Sequence, residues 1–159
     1  MGEESADDIG VLQSSQDSVC HLERSEVRMV VKSSSDLLGA LDLVGREASV
    51  PVARAFVRTM LGAEHPILDE VTLLASELTT NAVVHSRSRG SGDVTISLAQ
   101  CGHIVRLTVR DAGADTRPQV CDDLDGEGGR GLFLVEQISR RWGVDEDGDG
   151  RAVWCEVEF

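Results

Sequence analysis

VTISLAQCGHIVRLTVRD, Val94 to Asp111, alternates apolar and polar residues on both sides of a Cys101-Gly102 turn. Val94, Ile96 and Leu98 alternate with Thr95 and Ser97; beyond the turn Val105, Leu107 and Val109 alternate with Arg106, Thr108 and Arg110. Successive side chains of a strand point to opposite faces, so the stretch predicts an antiparallel hairpin with one dry face and one wet face. Such a sheet needs covering on its dry side only, and the helical patterns on either side of the hairpin supply the cover. The expected fold class is α+β: a two-layer sandwich in which a mostly antiparallel mixed sheet carries helices on one face.

Immediately upstream, from about Pro66, Leu74, Leu78 and Ala82 recur every four residues and predict a buried helix. Glu77, Asn81 and His85 follow the same step within ELTTNAVVHS and share one face beside that apolar stripe. A carboxylate, an amide and an imidazole along a half-buried edge must each find a partner or lose on desolvation, so the row suggests a site. Further upstream, Ser49 is the expected N-cap of a second helix, with Pro51 in its first turn, Val52, Phe56 and Met60 on one stripe, and Gly62 as its stop. Ala40 to Gly45 alternates as a first strand, and EVRMVVK, Glu26 to Lys32, could form a short strand or a docking segment.

Downstream, a loop is expected from Asp111 to Gly129, then the helix GLFLVEQISRR from Gly131 to Arg141. Strands at Trp142 to Val144 and Ala152 to Phe159 flank an Asp/Gly turn. Residues 1–38 are different in character: Met1 to Glu26 holds seven acidic residues, five serines and one arginine, too little apolar surface to pack, and is read as mobile. The expected organisation is an acidic extension over 1–38 and one domain over 39–159.

A net charge of −13 disfavours nucleic acid or an anionic membrane as partner and tolerates a basic or mixed protein surface. Of 15 Lys and Arg residues Lys32 is the single lysine, and it follows Val31, so no P-loop Gly-Lys pair exists and any nucleotide is held another way. Cys20, Cys101, Cys121 and Cys155 are scattered, without CxxC spacing, as expected of free thiols in a reducing compartment. The N-terminus lacks a signal-peptide pattern and no run approaches the ~18 apolar residues of a membrane span, so a cytoplasmic location is expected.

Two further stretches bear on the Glu77 row. DAGAD, Asp111 to Asp115, ends a strand; Gly113 lets the backbone approach a ligand and Asp111 offers an acceptor-only carboxylate, although an Asp-x-Gly turn also forms for local reasons. GEGGRGLFLVE, Gly126 to Glu136, brings glycines to a helix N-terminus, where free N–H groups and the dipole favour phosphate. Gly126, Gly128 and Gly131 spell GxGxxG, but the preceding VCDDLD lacks strand alternation and the following strand enters an antiparallel turn, against a dinucleotide fold. A flexible surface loop with a helix cap is the plainer alternative.

ELTTNAVVH, DAGAD and GGRGLFLV, in this order, resemble the N, G1 and G2 boxes of the GHKL ATPase superfamily, which includes gyrase, sensor histidine kinases and mismatch-repair ATPases. With RWGV and the closing AVWCEVEF, the stretch from Ala40 to Phe159 looks most like the bacterial anti-sigma-factor serine/threonine kinases, which share the Bergerat ATP-binding fold. The resemblance implies ATP and Mg²⁺ as cofactors. It makes Glu77 the general base toward a serine or threonine hydroxyl and Asn81 the Mg²⁺ ligand. Asp111 becomes the adenine reader, Gly113 the close approach to the base, and Gly129, Arg130, Gly131 and Leu132 the phosphate cradle. His85 matches a position that is often histidine in this branch and orients the loop.

Two departures stand out. Asp115 replaces the second glycine of DxGxG, and Ala152 stands where many relatives carry a threonine of the adenine network, which implies modest nucleotide affinity. Sensor histidine kinases need a helical hairpin with a phosphorylated histidine upstream; His21 in CHLERSE lacks the apolar repeats and proline of such a site. The resemblance implies a small anti-anti-sigma (STAS-type) protein substrate and a sigma factor as second partner, and it leaves open a homodimer as in many relatives. The rival is a non-catalytic module that binds ATP, or nothing, and sequesters a regulator; Glu77 favours catalysis, because sequestration needs no base.

Overall fold

The computed structural model describes residues 28–30, 36–85, 92–113, 130–148 and 150–159. In chain order the elements are β1 (Arg28–Val30), β2 (Leu37–Val44), α1 (Ser49–Leu61), α2 (Leu68–His85), β3 (Asp93–Cys101), β4 (Ile104–Asp111), α3 (Arg130–Ile138), β5 (Arg141–Asp147) and β6 (Gly150–Glu158). The strands form one sheet in the order β1-β2-β3-β4-β6-β5. Every pairing among these strands is antiparallel, so the parallel component of the expected mixed sheet is absent from the described residues.

The hairpin forms in the register its alternation predicts, Ile96 opposite Val109 and Leu98 opposite Leu107, and turns at Gly102 with a φ of 59°. Its apolar set, Val94, Ile96, Leu98, Val105, Leu107 and Val109, is buried against the helix layer with Val71, Leu74, Ala75 and Leu78 of α2 and Ala53, Phe56 and Val57 of α1. Each such side chain contributes about 1.5–3 kcal/mol of burial, so the two periods, 2 on the strands and 3.6 on the helix, together fix the layer. On the open face, Thr95 donates to Asp42 at 2.8 Å, and the Arg106 guanidinium lies 4.0 Å from the Trp154 ring centroid. Glu156 accepts there from Arg106 at 3.4 Å and from Arg141 at 2.7 Å. Even-numbered residues of β4 and β6 thus line the open face and odd-numbered ones the helix side.

Several boundaries differ from expectation for identifiable reasons. Ser49 is not the cap of α1: that position is Ala48, and the Ser49 hydroxyl instead donates to the Val44 carbonyl at 2.6 Å, tying the helix start to the end of β2. Gly62, at a φ of 82°, does end α1, its N–H reaching the Arg58 carbonyl at 3.0 Å. Helix α3 stops at Ile138 rather than Arg141, because the Arg140 N–H pairs with the Glu156 carbonyl at 2.8 Å and Arg141 enters β5. Strand pairing there overrides a helical pattern. Strand β2 begins at Leu37, ahead of Ala40, and within Glu26 to Lys32 the residues Arg28–Val30 pair with it.

Residues 1–27, His21 and Cys20 among them, lie outside the described residues, as do Asp115, Cys121, Gly126, Gly128 and Gly129. The other two cysteines are free, Cys101 exposed and Cys155 in the core, where burial pushes the thiol up to about 12. Among the described residues no helix is long and apolar enough to cross a membrane.

Gly150 decides how closely β6 approaches the end of β4. Its φ is 152°, and a Cβ there would collide with the Asp111 carbonyl oxygen and sit 3.5 Å from the Ala112 Cα. Gly150→Ala should therefore cost about 2 kcal/mol or more. Urea unfolding measures this, and an unchanged midpoint would contradict the close approach.

Candidate functional site

Helix α2 carries its core stripe inward, with Leu74, Leu78 and Ala82 all buried, which leaves Glu77 and Asn81 half-buried at the edge of that stripe. The start of α3 lies against this edge. A Cβ on Gly131 would sit 3.1 Å from Glu77 Oε2 and 3.0 Å from Asn81 Nδ2, so a larger residue would press on both groups. Glycine here sets the first turn of α3, with its unsatisfied N–H groups and positive dipole end, beside a carboxylate and an amide. Leu132 and Val135 are buried and anchor the helix in the core. Arg130 is the first residue of α3, and Gly129 lies outside the described residues. His85 is the last residue of α2 and is exposed.

A second cluster closes the ends of β4 and β6. Asp111 is the odd-numbered residue that continues Val105, Leu107 and Val109, so its carboxylate faces the helix side, and α2 packs on β4. Its Oδ1 accepts from the Gly113 N–H at 2.6 Å, which holds the DAG turn, and Gly113 takes a φ of 78° that other residues rarely adopt. Its Oδ2 accepts from Nη2 of Arg151 at 3.1 Å, with side-chain exposures of 2% for Asp111 and 5% for Arg151. Removing one partner of such a pair leaves a buried charge, a loss of about 3–5 kcal/mol.

The expected site residues therefore fall into two groups: Glu77, Asn81 and Gly131 where α2 meets α3, and Asp111 with Gly113 at the strand ends. Arg151 was not anticipated. The position singled out on β6, Ala152, lies opposite Arg110 and alternates with buried Arg151 and Val153, so it belongs to the open face and not to the helix side. Period-2 counting back from Val157, Cys155 and Val153 reaches Arg151, and that signal was available in the sequence.

Chemically, the first group offers a base, a hard oxygen ligand and an anion-favouring helix end; the second offers a buried acceptor beside a buried donor. Among the described residues no three His, Cys, Asp or Glu side chains converge as a metal cage. A cation that takes most of its shell from phosphate and water needs only one such protein oxygen, and the Asn81 amide fits that demand.

Residues 43–156 match the family described as the histidine kinase-like ATPase domain. The chain is 40% identical over 65 residues to the anti-sigma F factor of Bacillus licheniformis, covering 38% of this chain and 44% of that protein. It is 43% identical over 56 residues to sensor histidine kinase YpdA of Escherichia coli, covering 34% of this chain and 10% of that one. These matches span less than half the length of either relative. In fold, the chain is similar to the RsbU and RsbW domains of Rv1364c from Mycobacterium tuberculosis, with a TM-score of 0.51 at 21% identity over 75% of this chain and 32% of that one.

Proposed function

Because the chain belongs to the histidine kinase-like ATPase domain family, we propose that it is an ATP-dependent serine/threonine protein kinase of the anti-sigma type. The observation that carries this reading is the placing of Glu77 and Asn81 against Gly131 at the start of α3. Phosphate bound at that helix end lies beside a carboxylate able to take the proton of an incoming hydroxyl. Asn81 holds Mg²⁺ through its amide oxygen, and the ion shields phosphate charge. The N–H groups of the first turn, with Gly129, Arg130, Gly131 and Leu132, hold the phosphates; Asp111 accepts from the adenine amino group, and Gly113 lets the ring lie against backbone.

The substrate is a protein hydroxyl on an anti-anti-sigma domain of STAS type, and the protein alternates between that substrate and a sigma factor. Similarity to a protein named anti-sigma F factor supports this partner class. A charge of −13 suits protein partners better than a nucleic-acid backbone. The purified protein, incubated with γ-labelled ATP and candidate STAS domains, should produce acid-stable serine or threonine phosphate. Retention of a sigma factor with no transfer to any candidate would favour the sequestering module instead.

A further inference from the structure

Helix α2 is apolar on two sides. Leu74, Leu78 and Ala82 fill the core, while Leu73 and Val84, exposed at 40% and 38%, are the large hydrophobic side chains left open among the described residues. They stand three helical turns apart, about 16 Å, and so point the same way. Between them Glu77 and the exposed Thr80 complete a run at i, i+4, i+7 and i+11, the spacing with which a helix presents a seam to a partner. Single exposed aliphatic side chains are ordinary on a protein surface, whereas two on one seam, with the half-buried Glu77 between them, make a continuous patch. Asp69 and Glu70 are exposed in the first turn of α2, and the helix has no lysine or arginine along its length, so the seam is apolar with an acidic end.

We propose that the seam of Leu73, Thr80 and Val84 is the docking surface for the protein that receives the phosphate. The proposal rests on the reading of Glu77 as the base of a kinase. Because Glu77 stands in the seam, whatever covers Leu73 and Val84 also covers the base. A cover that brought no hydroxyl would block transfer, so the occupant during catalysis is the phosphoacceptor itself. Its contact face complements the seam: apolar side chains over Leu73 and Val84, and lysine or arginine facing Asp69 and Glu70, beside the serine or threonine that reaches Glu77. A second copy of the chain fits less well, since two chains of net charge −13 repel and α2 of the second copy brings no lysine or arginine to the acidic end.

The test uses the STAS domain that takes up label from γ-labelled ATP, with acceptor and ATP concentrations varied separately. Leu73→Ser combined with Val84→Ser should raise the KM for the acceptor about tenfold or more, with kcat and the KM for ATP within about twofold of wild type. Both side chains are exposed, so the unfolding midpoint should hold. Asp69→Asn combined with Glu70→Gln should raise the acceptor KM about threefold at low salt and flatten its rise with ionic strength, which a merely structural role would not do. This charge variant keeps the seam intact and decides the matter if the serine variant fails to fold. An unchanged acceptor KM in the folded serine variant overturns the proposal and leaves the kinase reading standing. So does unchanged transfer accompanied by a shifted monomer–dimer balance, which gives the seam to a second copy, or by lost retention of a sigma factor, which gives it to that partner. A wild-type protein that labels no STAS domain removes the kinase reading itself, and this proposal with it.

Discussion

Glu77→Ala should slow phosphoryl transfer by about 10²- to 10⁴-fold while ATP affinity changes little. In the proposed mechanism the carboxylate acts on the incoming hydroxyl, so its contribution would arise in the transition state and not in holding nucleotide. Its placing supports this separation: Oε2 faces the start of α3 at 3.1 Å from where a Gly131 Cβ would be, at the mouth of the proposed phosphate cradle. Glu77→Gln keeps the shape and removes the base, so it should fall nearly as far. Single-turnover transfer from labelled ATP to the partner domain, with nucleotide affinity measured in parallel, separates the two effects. A Glu77→Ala protein that transfers at the wild-type rate would falsify the assigned base.

Asn81→Ala should lower ATP affinity by about 10²-fold or more in the presence of Mg²⁺ and have little effect without the ion. Asn81 is half-buried, one turn along the same face of α2 from Glu77. Alanine is the better helix former, so the helix itself should not suffer and the loss can be assigned to the ligand. Calorimetric titration with and without Mg²⁺, alongside the unfolding midpoint, gives both readings. Equal affinities in mutant and wild type would take Asn81 out of the site.

What could be read from the chain follows from how local the determining physics is. The β3–β4 hairpin, the inward stripe of α2 and the Gly62 stop were legible because alternation, a four-residue period and a positive φ are encoded within a few residues. The start of α1 and the end of α3 were not, because Ser49 spends its hydroxyl on Val44 and Arg141 joins Glu156, partners that only the assembled sheet supplies. Glu77 and Asn81 were singled out by their four-residue spacing, and the resemblance gave them, with Gly131, their expected roles; the juxtaposition of the three depends on two helices meeting. Arg151 is legible only through strand alternation: the motif position on this strand is Ala152, and strand parity sends that position to the other face.

Gly150 and its strand also set an order of assembly. The β3–β4 hairpin closes across Gly102 and His103, whereas Asp111 and Arg151 are 40 residues apart in sequence. Closing a loop of that length costs about 3 kcal/mol in chain entropy before any contact offsets it, and non-local pairings of this kind form slowly. The Asp111–Arg151 pair, at the proposed base end of the site, therefore exists only after the C-terminal hairpin has docked on β4, while Glu77 and Asn81 already share a helix by local folding. Purine discrimination should then be the last property the chain acquires as it folds, and the first it loses when that hairpin detaches.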